Sequence, residues 1–302
     1  MKETALAGRV ALVTGASEGM GKSASFYLSK LGVNIALVSR RLGVIKRYAE
    51  QIKEETGTEP IAIRADLTKD KDVKEAIHKV LKKYKRIDFI ANFAGNPSGY
   101  LKGYRKKAIY EQSIRHLKAV AEVDHFGSVR VLKYAMPHMI RQKYGKVILI
   151  SSTASVYGYS EDVDYVPYKK ANEGLAKTTA LRSERDMWGV ELYVLAPGDV
   201  YNPSTWNSYS VEERREAIKY GVIESKAVAQ IVSFILSGRL KQKYVMKVDV
   251  DKGEVIDEGH FEDITNGDTI VVDAKTIKKL FESVNEPYID FSPPGLMDLK
   301  PT

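Results

Sequence analysis

Short runs of consecutive apolar residues alternate along this chain with longer segments whose apolar positions recur every three or four residues. The runs at 9–14, 34–39, 60–64, 87–92, 146–151 and 191–196 predict strands. The stretches between them, 19–31, 42–55, 70–84, 112–141 and 165–188, predict helices. Runs such as Val10-Ala11-Leu12-Val13 and Val147-Ile148-Leu149-Ile150 carry no polar alternation, as strands covered on both faces require. Strand and helix taking turns imply parallel pairing with helical crossovers on both sides. The predicted class is α/β, a doubly wound, Rossmann-type parallel sheet.

Past residue 200 the pattern changes. Residues 202–225 are rich in Pro, Ser, Asn and Tyr and then charged, which predicts a mobile loop enclosing a short helix, a candidate lid. A helix follows at 226–240. Two strand-like runs flank Asp251-Lys252-Gly253 within 244–258, a good hairpin turn. Residues 269–272 read as the last strand of the main sheet, followed by a short helix and a Pro-rich tail. The expected organisation is a single domain: a catalytic, nucleotide-binding part at 1–240, with 241–302 as an extension packed on it.

Composition narrows the chemistry. Of 302 residues, 44% are hydrophobic and 28% charged, ordinary proportions for a folded soluble chain. No apolar run is long enough to span a bilayer, and the first strand begins within ten residues, leaving no room for a signal peptide. A cytoplasmic protein is expected. The absence of cysteine excludes disulfides and thiolate catalysis, and five scattered histidines offer no metal motif. A net charge of +8 raises the question of nucleic acid, but lysines and acids intermingle along amphipathic stretches such as 70–86. That is a solvated helix face, so no nucleic-acid partner is expected.

Two groups of residues carry chemistry. Between the first strand and first helix lies Thr14-Gly15-Ala16-Ser17-Glu18-Gly19-Met20-Gly21, where glycines permit unusual backbone angles and close approach of a pyrophosphate. In an open α/β sheet, ligands sit beyond the carboxyl ends of the strands against helix N-termini. The second strand ends in Ser39-Arg40-Arg41, where an acid would bind a ribose 2′-hydroxyl and repel a 2′-phosphate. A guanidinium forks onto phosphate, so NADP(H) is expected over NAD(H), with Arg40 on the 2′-phosphate. Arg41 stacks on adenine or stays in solvent.

The second group comes later in the chain. Tyr165 and Lys169 share one face of a helix, and Ser152 ends a strand. A free phenol, with a pKa near 10, transfers protons poorly at neutral pH; an adjacent ammonium favours phenolate and lowers that value. Lys169 therefore tunes, Tyr165 transfers, and the Ser152 hydroxyl polarises a carbonyl. A nicotinamide would supply the hydride.

In this order and on these elements, the chain resembles the short-chain dehydrogenase/reductase family, over about residues 6–240 and again at the last strand. The resemblance rests on the glycine turn, Asp66-Leu67, Asn92-Phe93-Ala94-Gly95, Ser152, Tyr165 with Lys169, and Pro197-Gly198. It implies an oxidoreductase interconverting a carbonyl and a secondary alcohol, with Tyr165 the general acid of reduction and Lys169 also holding the nicotinamide ribose. It further implies that Gly15, Ser17, Gly19, Met20, Gly21, Ser39, Asp66, Leu67, Asn92, Ala94 and Gly95 cradle the cofactor. Pro197, Gly198 and Val200 would border the nicotinamide. Homodimers or homotetramers, formed through the helices at 112–141 and 165–188, are expected.

Four positions depart from the family pattern. Asp124 stands where an asparagine is usual, a residue whose backbone carbonyl holds a water of the proton relay; the aspartate is expected to keep that role. Phe93 replaces an asparagine, a packing change. The usual threonine after Pro197-Gly198-Asp199-Val200 is displaced, leaving Asn202 to contact the carboxamide. Glu18 occupies a place often basic in NADP-preferring relatives. His125 reads as packing or surface. An alternative of another class is a degenerate dinucleotide-binding sensor or scaffold. The insert at 97–115, with Tyr100, Tyr104, Arg105, Lys106 and Lys107, and the loop at 201–220 are long and aromatic enough to shape a substrate pocket.

Overall fold

Seven strands pair in parallel in the computed structural model, which describes residues 6–95, 107–159, 162–207, 209–245, 248–249, 254–255 and 259–288. In chain order the elements of the sheet half are β1 (Val10–Thr14), α1 (Gly19–Lys30), β2 (Asn34–Ser39), α2 (Leu42–Thr56), β3 (Ile61–Arg64), α3 (Asp70–Tyr84) and β4 (Phe89–Asn92). Then come α4 (Ile114–Asp124), α5 (Phe126–Gln142), β5 (Gly145–Ile150), α6 (Thr153–Tyr157), α7 (Val166–Arg185) and β6 (Val190–Pro197). The remainder comprises β7 (Asp199–Tyr201), α8 (Pro203–Trp206), α9 (Val211–Tyr220), β8 (Val222–Glu224), α10 (Ser225–Leu236), β9 (Gln242–Val245), β10 (Val248–Asp249), β11 (Glu254–Val255), β12 (His260–Asp263), β13 (Thr269–Val272) and α11 (Ile277–Ser283).

The sheet order is β13-β6-β5-β4-β1-β2-β3, so the chain reverses direction of travel between β1 and β4. Their crossovers lead to opposite faces, which opens a crevice at their carboxyl ends. Register there is set by Thr14 opposite Asn92. Both faces of every central strand are buried, as the uninterrupted apolar runs predict: Ala11 and Val13 join one core with Leu28, Val228 and Phe281, while Val10 and Leu12 join the other with Val73, Val131 and Ala176.

The expected single helix at 112–141 is two helices. A short 3-10 turn at Ile109–Glu111 precedes α4, and α4 gives way to α5 at His125, whose φ is −112°. The Asp124 carbonyl is drawn sideways at this break, accepting from Asn172 Nδ2 at 2.8 Å. The loop expected at 202–225 is also more structured than its composition suggests. β7 and β8 pair in parallel, and α8 and α9 fold over a small core of Trp206, Ala217 and Val222. A reciprocal Ser210–Glu213 capping box starts α9. The hairpin expected at 244–258 is present in two pieces, β9 with β12 and β10 with β11, its turn lying outside the described residues. β13 pairs with β6 and so closes the main sheet.

At the amino end of the sheet, opposite the crevice, the fully buried Asp88 binds three strands together. Its carboxylate accepts from Val10 N at 2.9 Å and pairs with Arg9 at 3.0 Å and Arg86 at 2.5 Å. Its backbone bonds to Val10 O and Lys146 N. Asp88→Ala strands a buried N–H and two guanidinium partners, and is expected to lower unfolding free energy by about 2 kcal/mol. Urea denaturation checks this; a loss under ~0.5 kcal/mol contradicts it.

Candidate active site

The glycine turn lies where β1 hands the chain to α1. Gly15 has φ +63°, and a Cβ there would stand 2.9 Å from the Ala94 nitrogen and the Phe93 carbonyl carbon. Gly21 packs against the Gly15 carbonyl with no room for a methyl. No side chain caps α1, so its first N–H groups and positive dipole end face the crevice. A turn stripped of side chains before an uncapped helix fits the diphosphate of a dinucleotide. Met20 is turned inward against the core. The Asn202 amide approaches from above, 3.5 Å from where a Gly19 Cβ would be.

Beside the turn, Ser39 Oγ donates to Ser17 Oγ at 2.9 Å, and Arg41 donates to the same oxygen from Nε and Nη2 at 3.1 and 2.8 Å. Arg41 also pairs with Glu18 at 3.0 Å. The guanidinium that reaches the serine pair is Arg41, read from the sequence as stacking on adenine or lying in solvent; Arg40 is the one expected on a 2′-phosphate. The reason is the start of α2: Arg41 is its N-cap, turned back toward the glycine turn, while Arg40 acts on the Asp66 carboxylate. Burial pushes Asp66 up, but hydrogen bonds from Thr68 and the charges of Arg40 and Lys69 hold it below its ordinary value. Leu67 is buried against Gly127 at the start of α5.

A hydrogen-bonded chain links this cradle to the reactive centre. Ala94 N donates to Thr14 Oγ1 at 3.1 Å, Thr14 donates to Asn92 Oδ1 at 2.5 Å, and Asn92 Nδ2 donates to Ser128 Oγ at 2.8 Å. Ser128 in turn donates to the Asp124 carbonyl at 3.4 Å. Gly95 lies over the far end, where a Cβ would fall 2.8 Å from Asp124 Oδ1 and 3.0 Å from Lys169 Nζ. Phe93 packs against the core, as its replacement of a polar residue suggests.

Ser152, Tyr165, Lys169 and Asp124 form one contiguous group. Ser152 caps α6, accepting from Ala154 N at 3.2 Å, and its hydroxyl acts on the Tyr165 phenol in the direction that favours phenolate. Lys169 Nζ acts on that phenol as well and stands 5.2 Å from the ring centroid. On its other side Nζ is 2.7 Å from Asp124 Oδ1; both side chains are almost wholly buried, at 4% and 0% exposure. Burial alone would push the Lys169 ammonium down, yet Asp124 and Tyr165 hold it above its ordinary value. Burial pushes the Tyr165 phenol up; Lys169 pulls it down, but Asp124 and Asp162 add to the rise. The net direction is upward, the reverse of what lysine alone would produce, because burial outweighs the lysine and the charges of Asp124 and Asp162 add to it.

Asp124 uses its side chain and backbone separately. Its carboxylate holds Lys169, while its carbonyl accepts from Asn172 Nδ2 and Ser128 Oγ. Asn172 escaped the sequence reading, although its place near Lys169 on the same face of α7 was a signal. Its Oδ1 meets His125 Nδ1 at 3.1 Å, so His125 belongs to this network. Glu173 was also missed: Oε1 accepts from Ser151 and Ser155, each at 2.7 Å, tying the loop that carries Ser152 to α7. Gly198 N donates to Val272 O at 3.1 Å, which holds the 197–200 turn against β13. Tyr100, Tyr104, Arg105 and Lys106 lie outside the described residues. Among the described residues no cluster of His, Asp or Glu is placed to hold a metal, and no helix is long and apolar enough to cross a membrane.

Known proteins resemble this chain in sequence and in fold. Residues 9–213 match the family model for short chain dehydrogenase. Dehydrogenase/reductase SDR family member 7 of Mus musculus is 28% identical over 214 residues, covering 70% of this chain and 61% of that protein. The chain thus spans about three-fifths of the length of that relative. A 3-oxoacyl-acyl-carrier-protein reductase of Staphylococcus epidermidis is 29% identical over 240 residues, covering 76% of this chain and 92% of the reductase. The crystal structure of gox2181 superposes with a TM-score of 0.75 at 17% identity, covering 91% of this chain and 98% of that one, a likeness of fold. With its doubly wound sheet, its glycine turn at the β1–α1 junction and this family match over two-thirds of its length, the chain belongs to the short-chain dehydrogenase/reductase family.

Proposed function

We propose that the protein is an NADP(H)-dependent oxidoreductase that interconverts a carbonyl and a secondary alcohol, with Tyr165 as general acid and base. The observation that carries this reading is the convergence of Ser152, Tyr165 and Lys169 at the carboxyl edge of the sheet, with Lys169 Nζ 5.2 Å from the phenol ring centroid and held there by Asp124. When bound, the nicotinamide exchanges the hydride. Ser152 Oγ donates to the carbonyl oxygen and polarises it. Tyr165 gives its phenolic proton to that oxygen in reduction and removes it in oxidation. Lys169 stabilises the phenolate and keeps an ammonium within reach of a cofactor ribose.

Asp124 fixes the lysine's place and charge, and its own charge adds to the burial that keeps the phenol from ionising. The residues Gly15, Ser17, Gly19, Gly21, Ser39, Asn92, Ala94 and Gly95 are the ones that would hold the dinucleotide, with Asp66 and Leu67 at the adenine. Pro197, Gly198 and Val200 border the nicotinamide, with Asn202 on its carboxamide. The phosphate-reading residue is Arg41: its guanidinium already converges on Ser17 with Ser39 and exchanges Glu18 for a 2′-phosphate. The Staphylococcus epidermidis relative is named a reductase of 3-oxoacyl groups on acyl-carrier protein, which makes 3-oxoacyl thioesters the first substrate class to assay. We further read the chain as one cytoplasmic domain, 241–302 included, acting as a homodimer or homotetramer.

Two outcomes are expected. In fluorescence titration NADPH binds at least tenfold more tightly than NADH, and Arg41→Ala removes that margin while leaving NADH affinity within about twofold. Equal affinity in the parent protein, or a margin that survives in Arg41→Ala but falls in Arg40→Ala, contradicts the assignment. In a nicotinamide-absorbance assay over 3-oxoacyl thioesters, ketosugars and hydrophobic ketones, Tyr165→Phe loses at least about 100-fold in kcat with NADPH binding retained. Undiminished turnover in that variant removes Tyr165 from the chemistry.

A further inference from the structure

The buried groups that the proposed chemistry leaves unused include one pair with an unusual position. His116 of α4 and Asp164, the residue immediately before Tyr165, meet with Nε2 2.6 Å from Oδ2. Their side chains are 5% and 1% exposed. Asp164 Oδ1 has no hydrogen-bond partner among the described residues, so the contact with His116 is what compensates this carboxylate for the water it has lost.

The pair belongs to a ladder. His116 and Asp164 are separated by 48 positions, and so are Asp124 and Asn172, whose carbonyl–amide bond ties the other end of α4 to α7. An identical offset at two points two helical turns apart means that α4 and the α7 segment run side by side in the same direction and in fixed register. Tyr165 and Lys169 lie between the two ties. The lower tie is backed by the Asp124–Lys169 ion pair and by His125 on Asn172. The upper one is less supported. α7 has no side-chain cap, and Tyr165 sits at its N-cap with φ −120° and ψ −50°, outside the helix. The local backbone bonds there are those of a turn, from Tyr165 N and Val166 N to Asp162 O.

We propose that His116 and Asp164 are positioning residues for Tyr165: the pair clamps the segment at 162–165 against α4, so that the phenol is held in line with Ser152 and Lys169. This rests on the reading of Tyr165 as the proton-transferring group. Neither residue has a part in the proposed contacts with substrate or cofactor. Without the clamp the Asp164 carboxylate must find water, and the turn that carries Tyr165 swings outward to let it. Displacement of a reacting group by about 1 Å costs on the order of 100-fold in rate while binding of a cofactor held elsewhere is unaffected.

The test uses the full chain with NADPH and ethyl 3-oxobutanoate as carbonyl probe. His116→Phe keeps a flat ring of similar size but no nitrogen, and His116→Asn keeps a polar group too short to reach Asp164. Both are expected to lose about tenfold or more in kcat with NADPH affinity within about twofold of the parent. His116→Gln, whose amide N–H can reach the Asp164 oxygen, is expected to restore kcat to within about threefold. If the phenylalanine variant does not fold, the asparagine and glutamine variants carry the same contrast. Parent-level kcat in the asparagine variant, or kcat and NADPH affinity lost in parallel, overturns the proposal. Tyr165→Phe, assayed beside them, separates the two readings: an active Tyr165→Phe, or a parent protein that does not turn over the probe or any compound of the carbonyl panel, overturns both. An inactive Tyr165→Phe beside a fully active His116→Asn overturns only this one.

Discussion

A lysine ammonium and an aspartate carboxylate 2.7 Å apart, both shut away from water, are the constraint around which the crevice is organised. Either charge alone would be expensive to bury, by several kcal/mol or about that order, and each is tolerable only with the other in contact and its remaining hydrogen-bonding capacity met. Several features of the chain answer that demand. Gly95 leaves space over the pair that a methyl would fill. Tyr165 presents its hydroxyl to the ammonium. Asn172 and Ser128 take up the Asp124 carbonyl at the point where α4 breaks from α5. The helix break thus places one residue's carboxylate and carbonyl on two different partners, which an unbroken helix would not do.

The same pair couples the reactive centre to the sheet. Thr14 and Asn92 face each other at the carboxyl ends of β1 and β4, the point where the topology reverses, and their side chains are bonded. From Asn92 the chain of donors runs through Ser128 to Asp124. The backbone of the glycine turn packs directly on residues 93 and 94. The glycine turn and the Asp124–Lys169 pair are therefore held in register by short polar contacts across one strand pair, and loops contribute the rest. Asp88 does the corresponding work at the other end of the sheet, where stability can be gathered without touching the chemistry.

Features with a local period were legible from the amino-acid order. The strands of the main sheet appear as apolar runs, and Tyr165 and Lys169 as one helix face, because a residue's own neighbours decide these. The glycine turn was legible because only glycine tolerates such backbone crowding. What escaped depends on contacts between distant segments. Arg41 rather than Arg40 reaches the serines because the first turn of α2 rotates it there, a matter of one residue that no periodicity resolves. The break at His125 follows from Asn172, far along the chain. The aromatic contacts of Trp206 with Tyr201 and Tyr209 order a stretch that looks like loop by composition, although the Ser210–Glu213 capping box was there to be read. The Tyr165 phenol is pushed up chiefly by its burial, to which Asp124 adds from another helix; of these influences only the lysine one turn away was visible in the sequence.

In the proposed chemistry Asp124 is a brake on ionisation of Tyr165, and the pH dependence of alcohol oxidation tests that most directly. Oxidation needs the phenolate, so its rate rises with pH through the tyrosine pKa. Asp124→Asn removes a negative charge that disfavours phenolate while Lys169 remains, so the rising limb moves to lower pH, by about one unit. An unchanged midpoint, or a move to higher pH in a variant that still binds NADPH, would contradict the placement of the Asp124–Lys169 pair at the centre of the site.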